Sequence, residues 1–99
     1  MTEKTYLFCY DIPSDKEGNR RRTKLMKLLE KNGIRVQYSI FEIRLEKDEE
    51  LNELLNAVQN IVSKKQDSIR IYPLYTDVMK NLILIGQANL YKEPNEYIF

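Results

Sequence analysis

The sequence contains no histidine and a single cysteine in 99 residues. Without histidine there is no Ser-His-Asp or Cys-His nucleophile, no imidazole general base and no His-ligated zinc. Cys9 alone builds neither an intrachain disulfide nor a cysteine-held zinc or iron–sulfur centre. No apolar run approaches the ~18 residues of a membrane span, and Met1-Thr-Glu-Lys does not lead into a signal-peptide core, so the expected setting is cytoplasmic, away from the membrane. Linkers, repeats and low-complexity segments are also missing. Chemistry is left to carboxylates, hydroxyls, basic groups or a hard metal ion.

What is present fits one soluble domain: 42% hydrophobic and 31% charged residues, enough to bury roughly 65% of the unfolded surface at this length. The net charge of +1 is a cancellation. Arg20, Arg21, Arg22, Lys24, Lys27, Lys31 and Arg35 are opposed only by Glu30, whereas Glu42, Glu46, Asp48, Glu49, Glu50 and Glu53 face only Arg44 and Lys47. A local field matters for binding even where the total is near zero. The first segment suits nucleic acid, the second a basic protein partner.

Alternation over Lys4 to Asp11 sets Tyr6, Phe8 and Tyr10 against Leu7 and Cys9, a two-sided apolar pattern expected of a central strand that stops at Pro13. Ser14 to Asn19 reads as a polar loop. Asn19 is the expected cap of a helix that buries Leu25, Leu28 and Leu29 and ends at Asn32-Gly33 in a left-handed stop. Ile34 to Leu45 carries no standard hairpin signal and reads as one long strand or a kinked pair. A second helix starts near Asp48, with Leu51, Leu54, Leu55, Val58, Ile61 and Val62 in one stripe. Ser68 to Leu74 and Leu82 to Ile85 read as strands. The tail, ending Tyr97-Ile98-Phe99, is expected to add an edge strand at a dimer interface. The sum is an α+β, ferredoxin-like two-layer sandwich: an antiparallel sheet, two helices on one face, and an extra C-terminal strand. The domain spans residues 1–99, with its core at about 4–86 and the tail at 87–99. The uncovered sheet face points to a homodimer.

Asp11 is the most informative residue. At the carboxyl end of the central strand it is either a ligand for a hard metal ion or a turn residue that bonds loop amides. The cations of Arg20-Arg21-Arg22-Thr23-Lys24 sit at the unfavourable end of a helix dipole, which a phosphate backbone would offset; a solvated face is the plainer alternative. Arg35, flanked by Tyr38 and Phe41, interleaves cation and aromatic as single strands require. Tyr10 and Phe41 stand out among the aromatics as neighbours of Asp11 and Arg35. Ser39 reads as a kink, and Cys9 as an inert core residue.

Tyr10-Asp11-Ile12-Pro13, Arg20-Arg21-Arg22-Thr23-Lys24-Leu25, Leu28-Leu29-Glu30-Lys31-Asn32-Gly33, Arg35-Val36-Gln37-Tyr38-Ser39-Ile40-Phe41-Glu42 and Arg70-Ile71-Tyr72-Pro73-Leu74, in that order, resemble the small CRISPR-associated adaptation protein family, the endoribonuclease-type partner of the CRISPR integrase. The resemblance covers residues 6–74. It implies a ferredoxin-like homodimer, with Ile34–Leu45 split into two strands near Tyr38-Ser39. It also implies that Asp11 is the metal-binding and catalytic acid, holding Mg2+ or Mn2+ across a two-fold axis. The ion would serve as Lewis acid and generator of the hydrolytic nucleophile. Tyr10, Arg22 and Lys24 match nucleic-acid-side positions, as do Arg35 and Phe41, with Arg20 and Arg21 in the same basic run. The implied function is spacer acquisition with endonuclease activity on RNA or DNA. Three alternatives stay open: a non-catalytic bridge between integrase and DNA, an RNA-recognition module stacking bases on Tyr6 and Phe8, and a small regulatory domain.

Overall fold

β1 (Lys4–Asp11) is apolar on both faces and accordingly lies inside the sheet, paired antiparallel on both sides. The computed structural model describes residues 3–86. After β1 come α1 (Lys16–Asn32), β2 (Gly33–Gln37), β3 (Ile40–Leu45), α2 (Asp48–Ile61), β4 (Ser68–Leu74) and the short α3 (Thr76–Lys80). The described strands form one antiparallel sheet in the order β2-β3-β1-β4. This is the ferredoxin-like arrangement read from the sequence.

Register fixes which side chains share a face. Phe8 pairs with Phe41 and Ile71, and Tyr10 with Ile69. That face carries the core, in which Phe8 and Phe41 are both 0% exposed and pack with Leu25 and Leu29 of α1 and Leu54 and Val58 of α2. The stripes expected for the two helices are therefore the buried ones. On the opposite face lie Leu7 and Cys9, half-buried, with Glu42, Arg70 and Tyr72 beside them. It is a mixed surface of apolar, aromatic and charged side chains. A stacking site on Tyr6 and Phe8 is excluded, because Phe8 lies wholly on the helix side and Tyr6 packs against the core.

Both ends of α1 differ from the sequence reading. Helix α1 begins earlier: Asp15, not Asn19, is its cap, with Oδ1 accepting from the Gly18 N–H at 2.7 Å. Gly18 does not delay the helix but permits this start, since a Cβ there would meet the Pro13 carbonyl. At the other end Gly33 is extended (φ −170°, ψ −157°), not left-handed. It enters β2 directly, so close to the Glu42 carbonyl and the Ile43 side chain that a Cβ would collide with both. The segment 34–45 is two strands joined at Tyr38-Ser39, as the family resemblance implied. The described residues include no non-glycine with positive φ. The favoured mirror-image hairpin turn is thus replaced by an irregularity at Val36, where Arg35 pairs with Phe41 but Gln37 with Ile40. Helix α2 starts at Asp48, as expected, with Lys47 at its cap position; Glu50 takes the Glu46 and Lys47 N–H groups at 3.0 and 2.9 Å.

β4 matches its expected span. The stretch after it does not: Thr76–Lys80 coils into α3, and of Leu82–Ile85 only Leu84 makes a strand-type bridge. The expected edge strand in the tail lies outside the described residues. No helix among the described residues is long and apolar enough to cross a membrane.

Candidate functional site at the end of β1

β1, the turn into α1, the β2–β3 turn and the start of β4 all meet at one end of the sheet. Asp11 lies there, opposite Ser68, at the end of the row Thr5, Leu7, Cys9 on the face away from the helices. Its carboxylate is exposed and, among the described residues, takes no hydrogen bond and no ion pair. The turn-residue alternative assigned such bonds to Asp11; Asp15 makes them instead. The described residues contain no group of three carboxylate or thiol side chains that would hold a metal ion. A single chain therefore offers one oxygen donor group of the right hardness and no complete coordination set.

Behind Asp11 the β2–β3 turn is tied to β1. The Tyr10 N–H donates to the Ser39 carbonyl at 3.0 Å, and the Tyr10 hydroxyl to the Tyr38 carbonyl at 3.3 Å. Arg35 Nε donates to that same Tyr38 carbonyl at 3.1 Å, while its guanidinium carbon stands 5.3 Å from the Tyr38 ring centre. Burial raises the pKa of the Tyr10 phenol, against the lowering field of Arg35 and Arg22, with Glu30 raising it further. Two cations thus converge near one buried hydroxyl.

The arginine run divides three ways. Arg21 makes a forked pair with Asp67, Nε at 2.7 Å and Nη2 at 2.9 Å, and Nη2 also reaches Gln66 at 3.1 Å. The Asp67 side chain is 0% exposed and that of Arg21 17%. Arg21, helped by the Ser63 N–H, holds the Asp67 carboxyl below its ordinary range despite burial. Arg22 donates to the Ile12 and Pro13 carbonyls and to Asn19 Oδ1, clamping the turn that follows Asp11. Arg20, loosely paired with Glu17 at 3.4 Å, and Lys24 are exposed. Because α1 starts at Lys16, Arg20 to Lys24 lie past its first turn, and the dipole cost expected for them is corrected: the first turn carries Glu17 instead.

Asp11, Tyr10, Arg22, Arg35 and Phe41 are brought together as expected, but not in the expected roles. Phe41 has no exposed surface and Tyr10 very little; their rings stack at 6.4 Å. Neither can meet a base, so the expectation of direct contact is corrected for both: they support the site from beneath. Tyr38, named from the sequence as a flank of Arg35, is 85% exposed. Asp67 had no signal, because a buried partner for Arg21 is 46 residues away in the chain.

The geometry has close relatives. Residues 4–81 match the family model for CRISPR associated protein Cas2. The chain is 41% identical over 93 residues to the CRISPR-associated endoribonuclease Cas2 3 of Synechocystis sp., covering 94% of this chain and 96% of that protein. The crystal structure of Streptococcus pyogenes Cas2 at pH 6.5 superposes with a TM-score of 0.73 and 29% identity, over 83% of this chain and 99% of the other. A chain of a partial Cas6-RT-Cas1–Cas2 complex gives a TM-score of 0.68 and 34% identity over 80% and 81% of the two chains.

Proposed function

The chain belongs to the CRISPR-associated Cas2 family, and from that premise we propose that it works in spacer acquisition as a homodimeric, nucleic-acid-binding endonuclease that cuts phosphodiester bonds with the help of a divalent cation. The carrying observation is the Asp11 carboxylate, exposed and without a partner among the described residues at the end of β1, between a turn clamped by Arg22 and a hairpin tip tied by Arg35.

Asp11 lies on the sheet face that the helices leave open. A two-fold contact through that face would bring a second Asp11 towards the first, doubling the donor set a single chain provides. Mg2+, or Mn2+, is the ion such oxygen donors suit, and when bound it would stabilise charge on a phosphoryl oxygen and activate water. The chain's own residues do the rest. Exposed Arg20 and Lys24 hold the phosphate backbone, Arg35 adds a cation beside the scissile region, and Tyr10 with Phe41 keeps the hairpin tip in place. The partner is a Cas1-type integrase subunit, by similarity to the chain in the partial Cas6-RT-Cas1–Cas2 complex.

One carboxylate per chain is sparse for a nuclease, and the absence of any three-ligand group among the described residues favours a second reading. In it, the dimer is a phosphate-binding bridge between integrase and DNA, and cleavage is dispensable. Asp11→Ala tests both. The nuclease reading expects loss of magnesium-dependent cleavage of labelled RNA or DNA, with the melting temperature unchanged because Asp11 is exposed and has no partner among the described residues. Cleavage that survives the substitution would overturn it. Spacer acquisition retained by a variant that cleaves nothing would establish the bridge.

A further inference from the structure

An aromatic side chain as exposed as Tyr38 gains nothing from burial, yet its backbone is among the most tightly held in the site. Three donors converge on this two-residue turn: the Tyr10 hydroxyl and Arg35 Nε on the Tyr38 carbonyl, and the Tyr10 N–H on the Ser39 carbonyl. Arg35 lies over the ring at 5.3 Å and fixes it from one side. The ring is 85% exposed. A side chain held rigid and left bare, with a cation attached and a free carboxylate one strand away, is organised for a planar ligand.

We propose that the Tyr38 ring, backed by Arg35, is a stacking platform that seats one unpaired nucleobase beside Asp11. This rests on the nucleic-acid reading above and adds to it one named binding residue. Every base has a π-face, so the platform reads strandedness and not sequence. A guanidinium stacked on the ring adds a charge for the adjoining phosphate. A base inside an intact duplex is stacked on its neighbours and does not reach the ring without an unstacking cost. Asp11 and Ser39 both flank the Tyr10 peptide unit, so the platform and the carboxylate share one rigid support.

The test compares wild type with Tyr38→Ala and Tyr38→Phe. The probes are a short adenine-rich single strand carrying 2-aminopurine and the blunt duplex of the same sequence. Stacking of one base predicts that Tyr38→Ala weakens single-strand binding by roughly tenfold or more and leaves duplex binding within about twofold. Tyr38→Phe should retain wild-type affinity, since the ring and not the hydroxyl makes the contact. Quenching of 2-aminopurine on binding is expected for wild type and Tyr38→Phe and is expected to be lost in Tyr38→Ala. Equal single-strand affinity and equal quenching in Tyr38→Ala, with salt-sensitive binding otherwise intact, would overturn the platform alone. Failure of wild type to bind either probe at low salt would overturn the platform together with the nucleic-acid reading. Because Tyr38 lies outside the core, all three proteins should share one melting temperature.

Discussion

At the scale of single residues, the site depends on side chains that never touch a substrate. Phe41 lies beneath Tyr10 and beside Arg35, wholly buried. Phe41→Ala is expected to cost about 3–5 kcal/mol in denaturant unfolding, the usual penalty for emptying a core aromatic site. Gly18 is a harder constraint than its exposed surroundings imply. Gly18→Ala would place a methyl group against the Pro13 carbonyl and is expected to destabilise the fold by roughly 1–3 kcal/mol, read as a lower urea midpoint. The sequence showed which residues were unusual here more readily than what they do. Asp11 was legible because a charged residue ends an apolar alternation. The burial of Phe41 follows from register against Phe8, which a single strand read alone does not contain.

At the scale of elements, the join between α1 and β4 dominates. Arg21 and Asp67 tie the first turns of α1 to the entry of β4, and Asp67 also accepts the Ser63 N–H at 2.7 Å to close the α2–β4 connection. Because this bonding lowers the folded-state pKa of Asp67 from its ordinary value of 3.8, the stabilisation is complete above that value and is lost as pH falls through the lower folded value. Thermal melts are expected to be level in this respect above about pH 5 and to drop below pH 4. Asp67→Asn should lower the melting temperature at neutral pH and flatten the acid limb. Strands and helices were largely readable, since β1 and β4 and the apolar stripe of α2 are strong periodic signals. What escaped reading was capping and turn chemistry. Asp15 outcompetes Asn19 because Gly18 lets the first turn approach Pro13, and the β2–β3 turn forms without glycine because β1 supplies its hydrogen bonds.

For the whole molecule, the arginine cluster Arg20–Arg22 and the acidic start of α2 occupy opposite ends. The arginine-rich start of α1 adjoins the end of β1, whereas the acidic start of α2 follows the end of β3, beside the beginning of β1. The positive field is smaller than the sequence count implies, because Asp67 cancels the charge of Arg21, while Arg22 keeps its charge but commits donors to backbone carbonyls. Arg20→Ala and Lys24→Ala should each reduce the slope of log affinity against log salt by about one, uniformly across sequences. Arg21→Ala should leave that slope unchanged and lower stability instead. A filter-binding titration at several salt concentrations, with a melt of each variant, separates the two groups.

The central position of β1 also governs when the site comes into being. This strand precedes both neighbours in the chain: Lys4 waits for Leu45, and Asp11 for Ser68. During synthesis β1 gains one edge when β3 emerges and remains open on the other until β4 follows. Closing such distant pairings is slow relative to forming either helix. The hairpin tip and the arginine clamp therefore have all their partners once β3 is made, whereas the Arg21–Asp67 tie and the pairing of Asp11 with Ser68 wait for β4, so the site is assembled in two stages.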